Sequence, residues 1–198
     1  METLDLQGKR TMIRLDLNVP IKDGLVTSDA RIMASLPTIQ MALDKGANVI
    51  LLSHLGRPDP EKLDGSFSLE PVAERLQEIL GIRVSFQSNW LEGIDHSSDG
   101  VTLCENVRYH AGEKKNDESL SQKIAGLCDV YVMDAFGASH RKHSSTYGAL
   151  QYAKERCIGP LLSNEVNSIK KAIDGPKSPV TAITVSYTHL TLPTNREV

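Results

Sequence analysis

Arg31, Arg57, Arg108 and Arg141 stand in polar loops, and three of these loops directly follow an apolar run of strand length. A guanidinium binds a phosphate or carboxylate bidentately, so arginines that converge suit a small, multiply anionic ligand. Asp16 and Asn18 close the first apolar run two residues apart, which on a strand places them on one face. Asp16 could hydrogen-bond a substrate hydroxyl while Asn18 orders the loop. The plainer alternative is that Asp16 caps the loop and pairs with Arg14 or a lysine. In His54-Leu55-Gly56-Arg57-Pro58, glycine lets the backbone approach a ligand and proline stiffens the turn, so His54 and Arg57 direct their donors into one space. Arg108 could instead bridge Glu105, an exposed pair of small worth. His140, Arg141 and His143 lack a cysteine or second carboxylate at ligand spacing, so a phosphate-holding basic loop is a better reading than a metal site. The charged run from Glu113 to Glu118 reads as a solvated approach to a helix. Neither common phosphate loop is present: no two glycines stand two residues apart, and no Gly-x-x-x-x-Gly-Lys-Ser/Thr run occurs.

These residues need a scaffold that brings loop ends together. Thr11 to Leu17 alternates as a first strand, and Lys22-Asp23-Gly24 signals a tight turn. Ile32, Leu36, Ile39 and Leu43 form a helical stripe stopped by Gly46, with Pro37 placing the regular helix start near Ser35. Ala47 to Ser53 is a buried-type strand, and Ser68 caps a helix from Leu69 to Leu80 that ends at Gly81. Short strands follow at Ile82 to Phe86 and Val101 to Cys104. Then come an amphipathic helix from Glu118 to Cys128, a strand from Val130 to Met133, a helix from Leu161 to about Ile173, and a strand near Pro179. Strands alternating with helices give an α/β, Rossmann-like, three-layer parallel sheet with helices on both faces. In such a sheet the loops leaving the carboxyl ends meet over one edge, where ligands bind.

The chain has 198 residues, 40% of them hydrophobic, enough to bury one domain's core without disulfides or metal. Its net charge of -3 and 5% aromatic content argue against a nucleic-acid partner. Cys104, Cys128 and Cys157 are odd in number and widely spaced, as in a reducing cytosol. No apolar run reaches the roughly 18 residues of a membrane span, and the first residues carry no signal-peptide core, so a soluble cytoplasmic protein with no membrane partner is expected.

The segments Arg14 to Pro20, Ser53 to Pro58, Glu105-Asn106-Val107-Arg108-Tyr109, Asp134-Ala135-Phe136-Gly137 with His140-Arg141, and Gly159-Pro160-Leu161 occur in the order found in phosphoglycerate kinases. The chain resembles that family from its first residues to about Ile183. The resemblance implies a single lobe of a two-lobe kinase: the amino-terminal, substrate-binding lobe. The parent enzyme moves a phosphoryl group reversibly between ATP and the carboxylate of 3-phosphoglycerate, giving 1,3-bisphosphoglycerate and ADP. It implies Asp16, Leu17, Asn18, Arg31, His54, Leu55, Gly56, Arg57, Arg108 and Arg141 as substrate-binding residues, with Arg31 also catalytic as the stabiliser of the phosphoryl group in flight. Mg-ATP or Mg-ADP belongs to the second lobe, so no nucleotide-binding residue, cofactor or metal ligand is expected in this chain, and the parent enzyme is expected to be monomeric. Beyond Ile183 the family would present a glycine pair and a lysine. Residues 184–198, from Thr184 to Val198, contain neither and read as a non-native tail after a lobe spanning 1–183. The expected product binds 3-phosphoglycerate weakly and has no turnover alone. A non-catalytic module for small phosphorylated acids and a functionless truncation product are the alternatives.

Overall fold

The computed structural model describes residues 1–63, 65–94 and 100–174. Strands β1 (Arg10–Arg14), β4 (Asn48–Leu52), β5 (Arg83–Gln87), β6 (Gly100–Cys104), β7 (Val130–Met133) and β8 (Glu155–Ile158) form one sheet in the order β5-β6-β4-β1-β7-β8. Every pairing in it is parallel. A separate antiparallel hairpin joins β2 (Ile21–Lys22) to β3 (Leu25–Val26). Its tip, Asp23 and Gly24, has positive φ at both positions (51° and 77°), as a two-residue turn matched to strand twist requires.

Side-chain alternation along the strands sorts the core onto two faces. Ile13, Val49, Leu51, Val101, Leu103, Val130 and Val132 pack with residues of α1 (Ala30–Asp44) and α2 (Glu70–Leu80). Met12, Ile50, Leu52, Cys104 and Tyr131 face the other way. There they meet Leu120 and Ile124 of α3 (Glu118–Gly126) and Ala149 of α5 (Ala149–Tyr152). Helices therefore cover both faces, as expected for an α/β sheet. Between β7 and α5 lie the short helix α4 (Phe136–Ser139) and a π-helical turn at Ser144–Gly148; α6 (Pro160–Asp174) ends the described chain.

Several boundaries differ from the expectation for physical reasons. The first strand stops at Arg14 because the Ser53 hydroxyl replaces the neighbouring strand: its Oγ accepts from Leu17 N (2.9 Å) and donates to Leu15 O (3.0 Å). Asp16 and Asn18 consequently lie on a loop, not on a strand face. Helix α1 starts at Ala30 and runs through Pro37 instead of beginning near Ser35. Pro37 is exposed, so the Met33 carbonyl it leaves unbonded faces the solvent side, while Ile32, Ser35, Thr38, Ile39 and Ala42 hold the helix by burial. Arg31 is thereby a first-turn helical residue and not a loop residue. Ser68 caps α2 one residue upstream of its formal cap, accepting from Glu70 N at 3.2 Å, and Gly81 closes the helix in the left-handed conformation. β8 was not expected: Glu155-Arg156-Cys157-Ile158 lacks an apolar run because it is an edge strand, exposed along most of its length. The strand expected near Pro179 and the tail 184–198 lie outside the described residues.

Candidate functional site

In this sheet the chain leaves β1 toward β4 and β6 on one side and crosses to β7 on the other. The loops after β1, β4, β6 and β7 leave the same carboxyl edge and carry Asp16 and Asn18, His54 to Arg57, Arg108, and Arg141 respectively. Arg31, at the start of α1, joins them through an ion pair with Asp16. The loops are stitched to each other by side chains. Asn18 Oδ1 accepts from Gly56 N at 2.8 Å, Arg108 Nη1 donates to Gly56 O, and Asn106 Nδ2 donates to Leu55 O (2.8 Å) and Phe67 O (2.9 Å). Gly56 has φ +58°, and a Cβ there would sit 2.2 Å from the Phe67 ring, so only glycine keeps this peptide in place.

Glu105 does not pair with Arg108. Its carboxylate accepts from Ser68 Oγ (2.7 Å), Leu69 N (2.9 Å) and Asn106 N (2.7 Å), tying the start of α2 to the end of β6. Leu17 and Leu55 have their side chains in the core, and both amides are committed, to Ser53 Oγ and Asn106 Oδ1. Their contribution is to the scaffold. Arg57 is exposed, Arg108 is buried, and Arg141 lies between.

Arg14 is the residue whose position local spacing did not disclose. Alternation turns it to the same face as Met12, where it is 2% exposed. Its Nε donates to Ser145 Oγ at 2.9 Å, Nη1 to Leu15 O, and Nη2 to His54 Nδ1 at 3.1 Å. Glu113 lies behind it, 1% exposed, accepting from Ser145 N (2.9 Å) and Ser145 Oγ (2.6 Å). The reading of the run from Glu113 to Glu118 as solvated therefore fails at its first residue. His143 Nδ1 stands 3.9 Å from Glu113 Oε1, and Tyr131 Oη donates to Ser145 O at 2.5 Å. The only signal for this network in the sequence was an arginine at an inward position of a strand.

Charges converge on His54. Burial, then Arg14, Arg108, Arg141 and Arg31, press its pKa down to about 2, so the ring is neutral. Burial, then Arg108 and Arg141, likewise bring His143 down to about 4. Burial lowers Arg108 as well, with Arg141, Arg14 and Arg57 adding repulsion. Glu113 is pushed up by burial and pulled back by Arg14 and the Ser145 hydrogen bonds. The result is a cluster of guanidinium groups opposed by Asp16 and Glu113, a field that attracts a compact polyanion. A concavity of about 330 Å³ lies elsewhere, between β3 and α2, but its Arg75 is already paired with Asp29 and Glu78. Among the described residues, no group of three or more His, Cys, Asp and Glu side chains is placed to hold a metal ion. No described helix is long and apolar enough to cross a membrane.

Comparison with known proteins agrees with the sequence motifs. A family model for phosphoglycerate kinase matches residues 1–185. Phosphoglycerate kinases of Legionella pneumophila (strain Lens) and Nitratidesulfovibrio vulgaris (strain DSM 19637 / Miyazaki F) are 54% and 52% identical over 183 residues. Those matches cover 92% of this chain but 46% and 47% of the relatives, so the chain spans about half the length of the curated relatives it matches. The phosphoglycerate kinase structure from Coxiella burnetii superposes with a TM-score of 0.86 at 47% identity, over 90% of this chain and 46% of that one. The structure from Pyrococcus horikoshii OT3 gives 0.79 at 30% identity, with the same coverage of 90% and 46%.

Proposed function

Because the chain belongs to the phosphoglycerate kinase family, we propose that its arginine cluster holds 3-phosphoglycerate or 1,3-bisphosphoglycerate, as the substrate half of a cytoplasmic glycolytic enzyme. The observation that carries this reading is the gathering of arginines at the carboxyl edge of a parallel sheet: Arg14 meets His54 Nδ1 at 3.1 Å, Arg31 pairs with Asp16, Arg108 holds Gly56 O, and Arg57 and Arg141 lie on the loops after β4 and β7. Arg57, Arg108 and Arg141 take the non-reacting phosphate and the carboxyl end. Asp16 accepts from the substrate hydroxyl, and Asn18 and Gly56 hold the loop that frames it. Arg31 stabilises the phosphoryl group as it passes. In the direction that consumes ATP, a carboxylate oxygen of the substrate attacks the γ-phosphorus, the bond from that phosphorus to ADP breaks, and an acyl phosphate forms. The attacking carboxylate is already ionised at neutral pH, so the site requires no general base. Positioning and positive charge supply the catalysis, which accounts for a site rich in arginine.

Magnesium and the nucleotide are assigned to the part of the enzyme that this chain does not contain. The 198-residue chain on this reading binds substrate without turnover, as the half-length match to its relatives supports. Thermal unfolding tests it, since a ligand that binds the native state alone raises apparent stability. 3-Phosphoglycerate should raise Tm, Mg-ATP should not, and Arg141→Ala should shrink the shift. A shift with Mg-ATP alone, or ATP-dependent turnover by the purified chain in a coupled assay, would overturn the assignment.

A further inference from the structure

Glu113 and Ser145 lie behind the cluster, not on it: they are 1% and 0% exposed. Each polar group of Ser145 is engaged. Its N–H is among the first-turn donors that any helix leaves unpaired, and Glu113 Oε2 accepts it at 2.9 Å. Its hydroxyl donates to Glu113 Oε1 at 2.6 Å and accepts from Arg14 Nε at 2.9 Å, and its carbonyl accepts from Tyr131. The turn that carries it is π-helical, a form that recurs at functional sites. Arg14 is thus held by Ser145 on its Nε side and by Leu15 O through Nη1, which leaves Nη2 aimed at His54 Nδ1. A guanidinium has no acceptor, so Nδ1 must accept and the ring proton must sit on Nε2.

We propose that Glu113 and Ser145 are positioning residues of the anion site: they fix the Arg14 guanidinium, and Arg14 fixes His54 with its proton on Nε2, ready to donate to a bound phosphate or carboxylate. The proposal rests on the reading of the cluster as a phosphoglycerate site. It gives the buried carboxylate of Glu113 a task beyond charge balance. A second nitrogen's hydrogen bond sets which ring nitrogen of a histidine can act, and here that bond is itself held by a third and a fourth residue.

The test is the ¹⁵N signature of the His54 ring in the ligand-free 198-residue chain. The Nε2–H tautomer is expected, and the Nδ1–H tautomer would overturn the proposal without any variant. Ser145→Ala should give a mixture of tautomers and about tenfold weaker binding of 3-phosphoglycerate at unchanged circular dichroism. Ser145→Thr, which retains the hydroxyl, should recover both. A purely structural role predicts lower stability with the wild-type tautomer, and that result in Ser145→Ala refutes the idea. If Ser145→Ala does not fold, Glu113→Gln is read in the same way beside the wild-type spectrum. The tautomer needs no ligand, so this inference fails separately from the substrate assignment, which fails if the wild-type chain does not bind 3-phosphoglycerate.

Discussion

Gly159 occupies a place where a single methyl should be costly. A Cβ built there lies 2.2 Å from Asp134 Cγ, 2.4 Å from Oδ1 and 2.6 Å from Cβ, all well inside contact distance. Asp134 cannot retreat, since it is 0% exposed and its carboxylate is held from two sides. Oδ1 accepts from Leu162 N at 2.8 Å at the start of α6, and Oδ2 accepts from Thr38 Oγ1 on α1. Overpacking of this kind costs about 1–3 kcal/mol. Displacing the carboxylate weakens two hydrogen bonds to a buried charge-bearing group, each worth roughly 1.5–3 kcal/mol. One movement relieves the clash and breaks the bonds together, so the terms overlap, and Gly159→Ala should cost about 3–5 kcal/mol. Against a domain stability of about 5–15 kcal/mol this is a large fraction. In urea unfolding followed by circular dichroism, a slope of ~2 kcal/mol per molar places the midpoint roughly 1.5–2.5 M lower. Gly126→Ala is the control. It lies in α3 with nothing within 4 Å of the added carbon, and should be neutral or stabilising by up to ~1 kcal/mol. A cost below ~1 kcal/mol for Gly159→Ala, or an equal cost in the control, would refute the steric argument.

Gly56→Ala should act on binding more than on folding. The left-handed backbone costs an alanine about 1–2 kcal/mol, and the half-buried Phe67 can swing aside, but the shifted peptide loses Asn18 on its N–H and Arg108 on its carbonyl. Isothermal titration with 3-phosphoglycerate should show affinity down about tenfold or more; unchanged affinity would mean that the peptide does not organise the site. His54 sets a pH dependence. Its folded pKa of about 2 lies below the ordinary value of 6.5, so the unfolded chain binds the extra proton between those limits. Stability is therefore complete above about pH 6.5 and is lost progressively as pH falls toward 2, by up to about 1.4 kcal/mol per pH unit from this group. Unfolding from pH 7 to pH 4 should show that slope, and His54→Asn should remove its share; an identical slope in the variant would contradict the assignment of a neutral buried ring.

Strands β4, β6 and β7 were legible because a parallel strand covered on both faces is apolar almost throughout, and a short apolar run before a polar loop has few other meanings; β1, which carries Arg10, Thr11 and Arg14, was legible by its alternation instead. β8 was not, because an edge strand can be Glu155-Arg156 and still pair on its inner side with β7. The arginines were visible by type, but whether each faces a ligand or the core is decided by partners far along the chain. Arg14 meets Ser145 across 131 residues, and no local window contains that contact. Arg108 and Glu105 are close in sequence, yet the carboxylate turns to the start of α2 because three donors wait there. Pro37 misled for a similar reason: a proline penalty is real, but a helix with five buried positions on one face absorbs it.

The central place of β1 also governs the order in which the protein can be made. It precedes both of its neighbours in the chain, pairs with β4 on one side, and must wait for β7 on the other, with Arg10 meeting Asp129 across 119 residues. At about 5–20 residues per second, that wait is on the order of ten seconds of synthesis. During it the side of β1 that will meet β7 is an unpaired edge of backbone N–H and C=O groups, a template for any passing strand. Arg14 waits longer still, since Ser145 follows β7 in the chain. The arginine cluster therefore cannot be completed until Ser145 has been made, and the strand that anchors it is the one most in need of protection while it forms.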